Sequence, residues 1–132
     1  MAFPESWLSG AIEAASGCRA YPAYVPRAAA LPFVAFSRTQ TFRERTLEDN
    51  AGCPLATFTV EVYASHYMDA KKLADRVRAG VDNFTGSASG VTITSTELTD
   101  EADAEPSFES GSDTPVAYTV QMTFQIRFYE EP

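Results

Sequence analysis

Val116-Ala117-Tyr118-Thr119-Val120-Gln121-Met122-Thr123-Phe124-Gln125-Ile126-Arg127-Phe128 is the stretch on which the fold turns. Val116, Tyr118, Val120, Met122, Phe124, Ile126 and Phe128 fall on one side of a period-two repeat; Thr119, Gln121, Thr123, Gln125 and Arg127 fall on the other. Successive strand side chains point to opposite faces, so the pattern predicts a strand buried on one side. At around 14 residues it is long for a globular protein, which suits a central or protruding strand.

A second alternation precedes it. In Ala56 to Ala64, Phe58, Val60, Val62 and Ala64 alternate with Thr57, Thr59, Glu61 and Tyr63. Upstream, Pro32 to Phe42 is rich in aromatic, branched and Thr residues and contains no Gly, which also predicts a strand. A polar turn region over 43–54 joins these two, and an antiparallel pair is expected. Val91 to Thr96 gives one further strand.

Two segments carry helical spacing. Over 4–16, Trp7, Leu8, Ala11, Ile12 and Ala15 recur at that period, with Pro4 in the first turn and Gly17 just past the last. Further on, Ala70, Leu73, Ala74, Val77, Val81 and Phe84 form an apolar stripe opposite Lys71, Lys72, Asp75, Arg76, Arg78 and Asp82. Asp69 is the expected N-cap and Gly86 the expected end. The Cys18–Pro32 stretch, with Pro22, Pro26 and Pro32, predicts an extended but irregular path that can touch a sheet edge, and Gly86 to Gly90 a flexible linker.

The order helix, strand, strand, helix, strand, strand predicts an α+β domain, one mainly antiparallel four-stranded sheet with two helices packed on one face. The chain reads as a single domain over 1–132, with mobile loops near 43–54 and 99–114; the second, with six acidic residues and no basic one, reads as a mobile loop or a ragged strand extension.

Composition excludes several function classes. Lys and Arg together number 10 against 18 Asp and Glu, giving a net charge of −8. Phosphate neutralisation needs clustered cations, so gripping nucleic acid is disfavoured. No apolar run approaches the roughly 20 residues of a membrane span, and the N-terminus has no secretory signal pattern. No membrane contact is expected, and a cytoplasmic setting favours free thiols at Cys18 and Cys53.

Candidates for chemistry are few. His66 is the one histidine, at a strand-to-helix junction, and its ordinary reading is a loop or capping residue. Neither cysteine has a local partner for a nucleophilic dyad other than His66. Gly86-Ser87-Ala88-Ser89-Gly90 lacks the Lys-Ser/Thr of a phosphate loop. Asp100, Asp103 and Glu105 resemble oxygen ligands for a hard cation only crudely, since the order and distal glutamate of a calcium loop are missing. The expectation is a non-enzyme with no metal and no cofactor.

The arrangement resembles the tail-terminator, or tail-completion, family of long-tailed phages. The likeness is carried by the N-terminal helix, by Arg19-Ala20-Tyr21-Pro22 with Val25-Pro26, and by Ala30-Leu31-Pro32-Phe33-Val34-Ala35-Phe36. It continues through Thr59-Val60-Glu61-Val62-Tyr63-Ala64 into Ala70-Lys71-Lys72-Leu73-Ala74-Asp75-Arg76-Val77, and closes near Phe128-Tyr129-Glu130-Glu131. It spans about residues 4–130 and includes no catalytic signature.

The resemblance implies a virion subunit at the tail-head junction, made in a bacterial cytoplasm. Such a subunit forms a ring, usually hexameric, on the last layer of the major tail tube protein, stops its polymerisation and docks to head-completion or connector proteins. DNA passes through the lumen without specific binding, and an acidic lining would keep it mobile. Contacts with neighbours are expected from Arg43, Glu44, Arg45, Glu48 and Asp49. A lumen or partner-facing role is expected of Asp100, Glu101, Asp103, Glu105, Glu109 and Asp113. A head-completion or neck adaptor is the alternative within the particle; a small-molecule-binding or enzymatic α+β domain is the alternative outside it.

Overall fold

The structure, a computed structural model, describes residues 3–23, 25–26, 29–43, 53–88, 90–108, 111 and 115–129. Helix α1 (Pro4–Ser16) starts with proline in its first turn, where the missing N–H has no intrahelical role. It ends on Gly17, whose φ of 73° is the left-handed cap and whose N–H donates to Glu13 O at 2.9 Å. Trp7, Leu8 and Ile12 are buried. Ser16 is buried too, its hydroxyl donating to Ile12 O at 2.7 Å and accepting from Cys18 N at 3.1 Å.

Strands β1 (Arg19–Pro22), β2 (Phe33–Phe42) and β3 (Leu55–Ala64) follow, then helix α2 (Tyr67–Val81). The second half holds β4 (Gly86–Ala88), β5 (Val91–Asp103), β6 (Ser107–Phe108) and β7 (Pro115–Tyr129). The sheet runs β1-β2-β3-β7-β5-β4, with β6 also on β7. The long alternating strand β7 is central, 15 residues pairing antiparallel with β3 and with β5.

The four-stranded, mainly antiparallel expectation is overturned: among the described residues the sheet is mixed and has seven strands. Three segments read as irregular account for the difference. Arg19–Pro22 pairs parallel to β2 at the sheet edge, where proline is tolerated because no further strand needs its N–H. Gly86–Ala88 is a strand, not a linker. Gly90, with φ 76°, turns the chain back, and Ser87 Oγ lies 2.9 Å from Thr92 Oγ1 across the hairpin. The acidic segment continues β5 along β7 through Asp103 and then supplies the short strand β6, which also pairs with β7.

Both helices rest on a single core. β3 alternates between buried and half-buried positions along its whole length, burying Ala56, Phe58, Val60, Val62 and Ala64. These meet Val120, Met122, Phe124 and Ile126 of β7 and Ala70, Leu73, Ala74, Val77 and Val81 of α2. α2 begins after His66, not Asp69, and its C-cap is Asp82. Phe84 therefore lies beyond the helix and stacks on Trp7, ring centroids 4.9 Å apart. Gly80 lets the helices approach: a Cβ there would fall well inside van der Waals contact with Ala15 Cβ.

At the far end of α1, Glu5 takes a bidentate pair from Arg38, Nε to Oε2 at 3.1 Å and Nη2 to Oε1 at 2.7 Å. The Arg38 guanidinium also lies over Phe58 and Phe128, 5.5 and 5.4 Å from their centroids. It sits at a register shift of β2 between Arg38 and Gln40.

Candidate assembly surfaces

Alternation and register sort the polar residues of the sheet onto its helix-free face. There Thr57 pairs with Gln125, Thr59 with Thr123, Glu61 with Gln121 and Tyr63 with Thr119. β5 adds Glu97 beside Gln125 and Asp100 beside Thr123. The result is a Thr/Gln surface flanked by carboxylates. Arg127, its cation from β7, donates to Cys53 O at 2.9 Å.

Toward β1 the same face becomes aromatic. Phe33 stacks on Tyr63 with centroids 4.8 Å apart, and Tyr21 meets Phe33 edge-on at 5.9 Å. Arg19 lies 5.9 Å from the Tyr21 centroid. The Tyr63 hydroxyl donates to Glu61 Oε2 at 3.0 Å. Burial, then the Glu61 charge, then this bond push the phenol up to about 12.

The acidic strand end divides between two faces. Asp100 faces the Thr/Gln side, whereas Asp103, opposite buried Val120, faces α2. Asp103 Oδ1 accepts from Lys71 Nζ and Oδ2 from the Tyr67 hydroxyl, each at 2.6 Å. The Lys71 bond, then the Tyr67 bond, hold this carboxyl below the usual range. Arg78 donates to Asp75 and lies in the field of Glu101 and Asp82. A cation site shared by Asp100, Asp103 and Glu105 is thus opposed by geometry. Among the described residues no three His, Cys, Asp or Glu side chains group as metal ligands.

Beside this cluster a cavity of about 270 Å³ opens between α2 and β7, lined by Tyr67, Asp103, Ala104, Pro106, Tyr118 and Thr119. Exposed Met68 and Val116 lie in α2 and β7, and exposed Phe108 in β6. A second cleft, about 210 Å³, lies on the other flank of α2, floored by Cys18, Pro32, Ala64 and Leu73. Lys72, Arg76 and Asp69 line it too.

Of the residues expected to make contacts, Arg43 is exposed directly after β2. Glu44, Arg45, Glu48, Asp49, Glu109 and Asp113 lie outside the described residues. Asp100, Glu101 and Asp103 belong to β5, and Glu105 is exposed beyond it. His66 is the exposed N-cap residue of α2 with no side-chain capping bond. Both cysteines are free thiols, and Cys18 Sγ donates to Ser16 O at 3.6 Å. The Lys72–Arg76 cleft was not anticipated from the sequence, which placed both residues on an undifferentiated polar stripe.

No helix among the described residues is long and apolar enough to cross a membrane. No protein-family model matches the chain, and no curated protein matches it in sequence. Its fold is similar to that of a chain in a solved structure described as the virion of a native gene transfer agent particle. The TM-score is 0.66 at 14% identity, covering 89% of this chain and 84% of that one. At that identity the likeness is one of fold.

Proposed function

We propose that this protein is a structural subunit of a phage-like particle, and specifically a tail-terminator subunit that caps the tail tube as a ring and joins tail to head. The observation that carries the reading is the fold shared over 89% of the chain with a chain of a gene transfer agent virion. The sequence resemblance to tail terminators points the same way independently.

The surfaces fit a ring subunit in chemical terms. A closed ring needs two different, complementary patches on each copy. The helix-free face, with Thr57, Thr59, Thr123, Gln121 and Gln125 beside Glu61, Glu97 and Asp100, is wettable and acidic. Such a surface repels a phosphate backbone and leaves passing DNA mobile. The protein's work on this reading is architectural, with no catalytic step and no cofactor.

The test is electron microscopy of tail tubes assembled without a terminator, with and without added protein. Added protein should cap one tube end and stop elongation. Binding to head connectors with no effect on tubes would move the protein to the head-completion role. Absence from both, with a ligand-stabilised monomer, would overturn the structural reading.

A further inference from the structure

α2 carries cations on two flanks, and only one flank is matched. Lys71 is held by Asp103, and Arg78 by Asp75 within the field of Glu101. Lys72 and Arg76, one turn apart on the other flank, are exposed and form no hydrogen bond or ion pair among the described residues. Asp69 shares their cleft without pairing to either. Two unmatched cations on one concave surface stand out in a chain with a net charge of −8.

The excess carboxylates lie across the sheet. β4 covers β5 only from Val91 to Ile93. The turn after α2 covers the next stretch, through Asn83 N to Thr96 O at 3.1 Å and Leu98 N to Asp82 Oδ1 at 3.0 Å. From Asp100 onward β5 is paired by β7 alone. This open edge holds Asp100, Glu101 and Asp103, with Glu105 following, and Asp100, Glu101 and Glu105 have no ion-pair partner among the described residues. An edge so charged resists pairing with its own like.

The sheet order sets the two surfaces apart. The cleft adjoins Cys18 and Pro32, which lead into β1 and β2 at one side of the sheet, and the acidic edge is β5 at the other. A basic patch and an acidic patch on opposite sides are complementary head to tail and repel head to head.

We infer that the Lys72–Arg76 cleft is the docking site for the acidic β5 edge of a second copy, with Asp100 and Glu105 as the carboxylates it receives. The contact is heterologous, so repetition closes a ring or extends a filament. Its charges are exposed before docking, so they steer encounter and weaken with salt. The inference rests on the ring-subunit reading and names its subunit contact.

The experiment is crosslinking of a chain carrying Cys18→Ser, Cys53→Ser, Ser65→Cys on the cleft rim and Ala102→Cys on the acidic edge. A short bis-maleimide is applied at low salt, free in solution and on tail tubes. A ladder extending beyond dimer on a denaturing gel is expected. Adding Lys72→Glu and Arg76→Glu should reduce it at least tenfold, and further adding Asp100→Lys and Glu105→Lys should restore it. Ser65, Ala102, Lys72, Arg76, Asp100 and Glu105 are exposed, Cys18 and Cys53 are half-buried, and circular dichroism checks that each variant is folded. A product that stops at dimer, a ladder indifferent to the charge reversals, or protection of Lys72 and Arg76 by inorganic phosphate instead would overturn the inference. Capped tubes without the 65–102 crosslink would sink this contact and spare the terminator reading. The crosslink without capping would do the reverse.

Discussion

Lys71 and Asp103 lie 2.6 Å apart across the junction of α2 and β5, joining a helix to the outer reach of the sheet. Tyr67 donates to the same carboxylate, so one acid ties two side chains one turn apart at the start of α2 to the strand. The Asp103 carboxyl is held below its ordinary value of 3.8, chiefly by the Lys71 bond. A lowered folded-state value means its stabilisation is present above the unfolded value and is lost as pH falls through the folded one. Thermal melts of wild type and Asp103→Asn should therefore differ at neutral pH and converge below about pH 4. The gap should be small, because the groups are exposed and screened by solvent. A gap of constant size down to strong acid would mean the carboxylate charge is not its source.

Gly80 supports a prediction whose sign is opposite to helix propensity. In an isolated helix, replacing Gly with Ala stabilises by about 1 kcal/mol. Here the added methyl collides with Ala15 of α1, and overpacking typically costs about 1–3 kcal/mol. Gly80→Ala should lower stability in denaturant titration, and Ala15→Gly in the same chain should recover part of the loss. If Gly80→Ala alone raised the midpoint, α1 and α2 would not pack as closely as described.

These two sites also mark how far the sequence could be read. β3, β7 and α1 were legible because a half-buried strand and a capped amphipathic helix each leave a one-dimensional period: Phe58/Val60/Val62, Val120/Met122/Phe124, Trp7/Ile12. The tail of β5 was legible only as one of two readings, a mobile loop or a ragged strand extension, because Asp100, Glu101 and Asp103 are poor strand formers. They become a strand because β7 extends far enough to pair with them and Lys71 and Arg78 stand nearby. β1 and β4 were hidden by Pro22 and by Gly86, residues that punctuate chains but are tolerated at a sheet's margin. The candidate site suffered most. That Lys71 is matched and Lys72 is not depends on which strand flanks each side of α2, and no local pattern carries that.

Arg38 and Glu5 offer a test of how α1 is held down. The pair is bidentate and partly buried, with side-chain exposures of 20% and 35%, and the guanidinium also lies against Phe58 and Phe128. Charge-assisted hydrogen bonds contribute about 1.5–3 kcal/mol each way they are broken. Arg38→Ala should cost about 2 kcal/mol or more in denaturant titration, because Glu5 is left unmatched and two rings lose contact. Arg38→Lys should recover little, since a point charge cannot reproduce the fork. Trp7 fluorescence, two residues from Glu5, should report loosening of α1 in Arg38→Ala before global unfolding. Equal stability of the Lys and wild-type forms would show the fork to be dispensable.

Tyr63 gives a titration specific to the helix-free face. Its phenol is raised to about 12 by burial first, then by the Glu61 charge and the bond to Oε2. A raised folded-state value places its contribution fully below the unfolded value, near pH 10, with loss as pH rises through the folded one. In ultraviolet-difference titration Tyr63 should ionise after pH 11, and Tyr63→Phe should remove that late step alone. Glu61→Gln should shift the step toward lower pH but not to the ordinary value, because burial is the larger cause and remains. Wild type should accordingly lose stability between about pH 10 and pH 12 more steeply than Tyr63→Phe. If Glu61→Gln returned the step fully to the ordinary phenol range, the carboxylate, and not the stacking of Tyr63 under Phe33, would be what sets it.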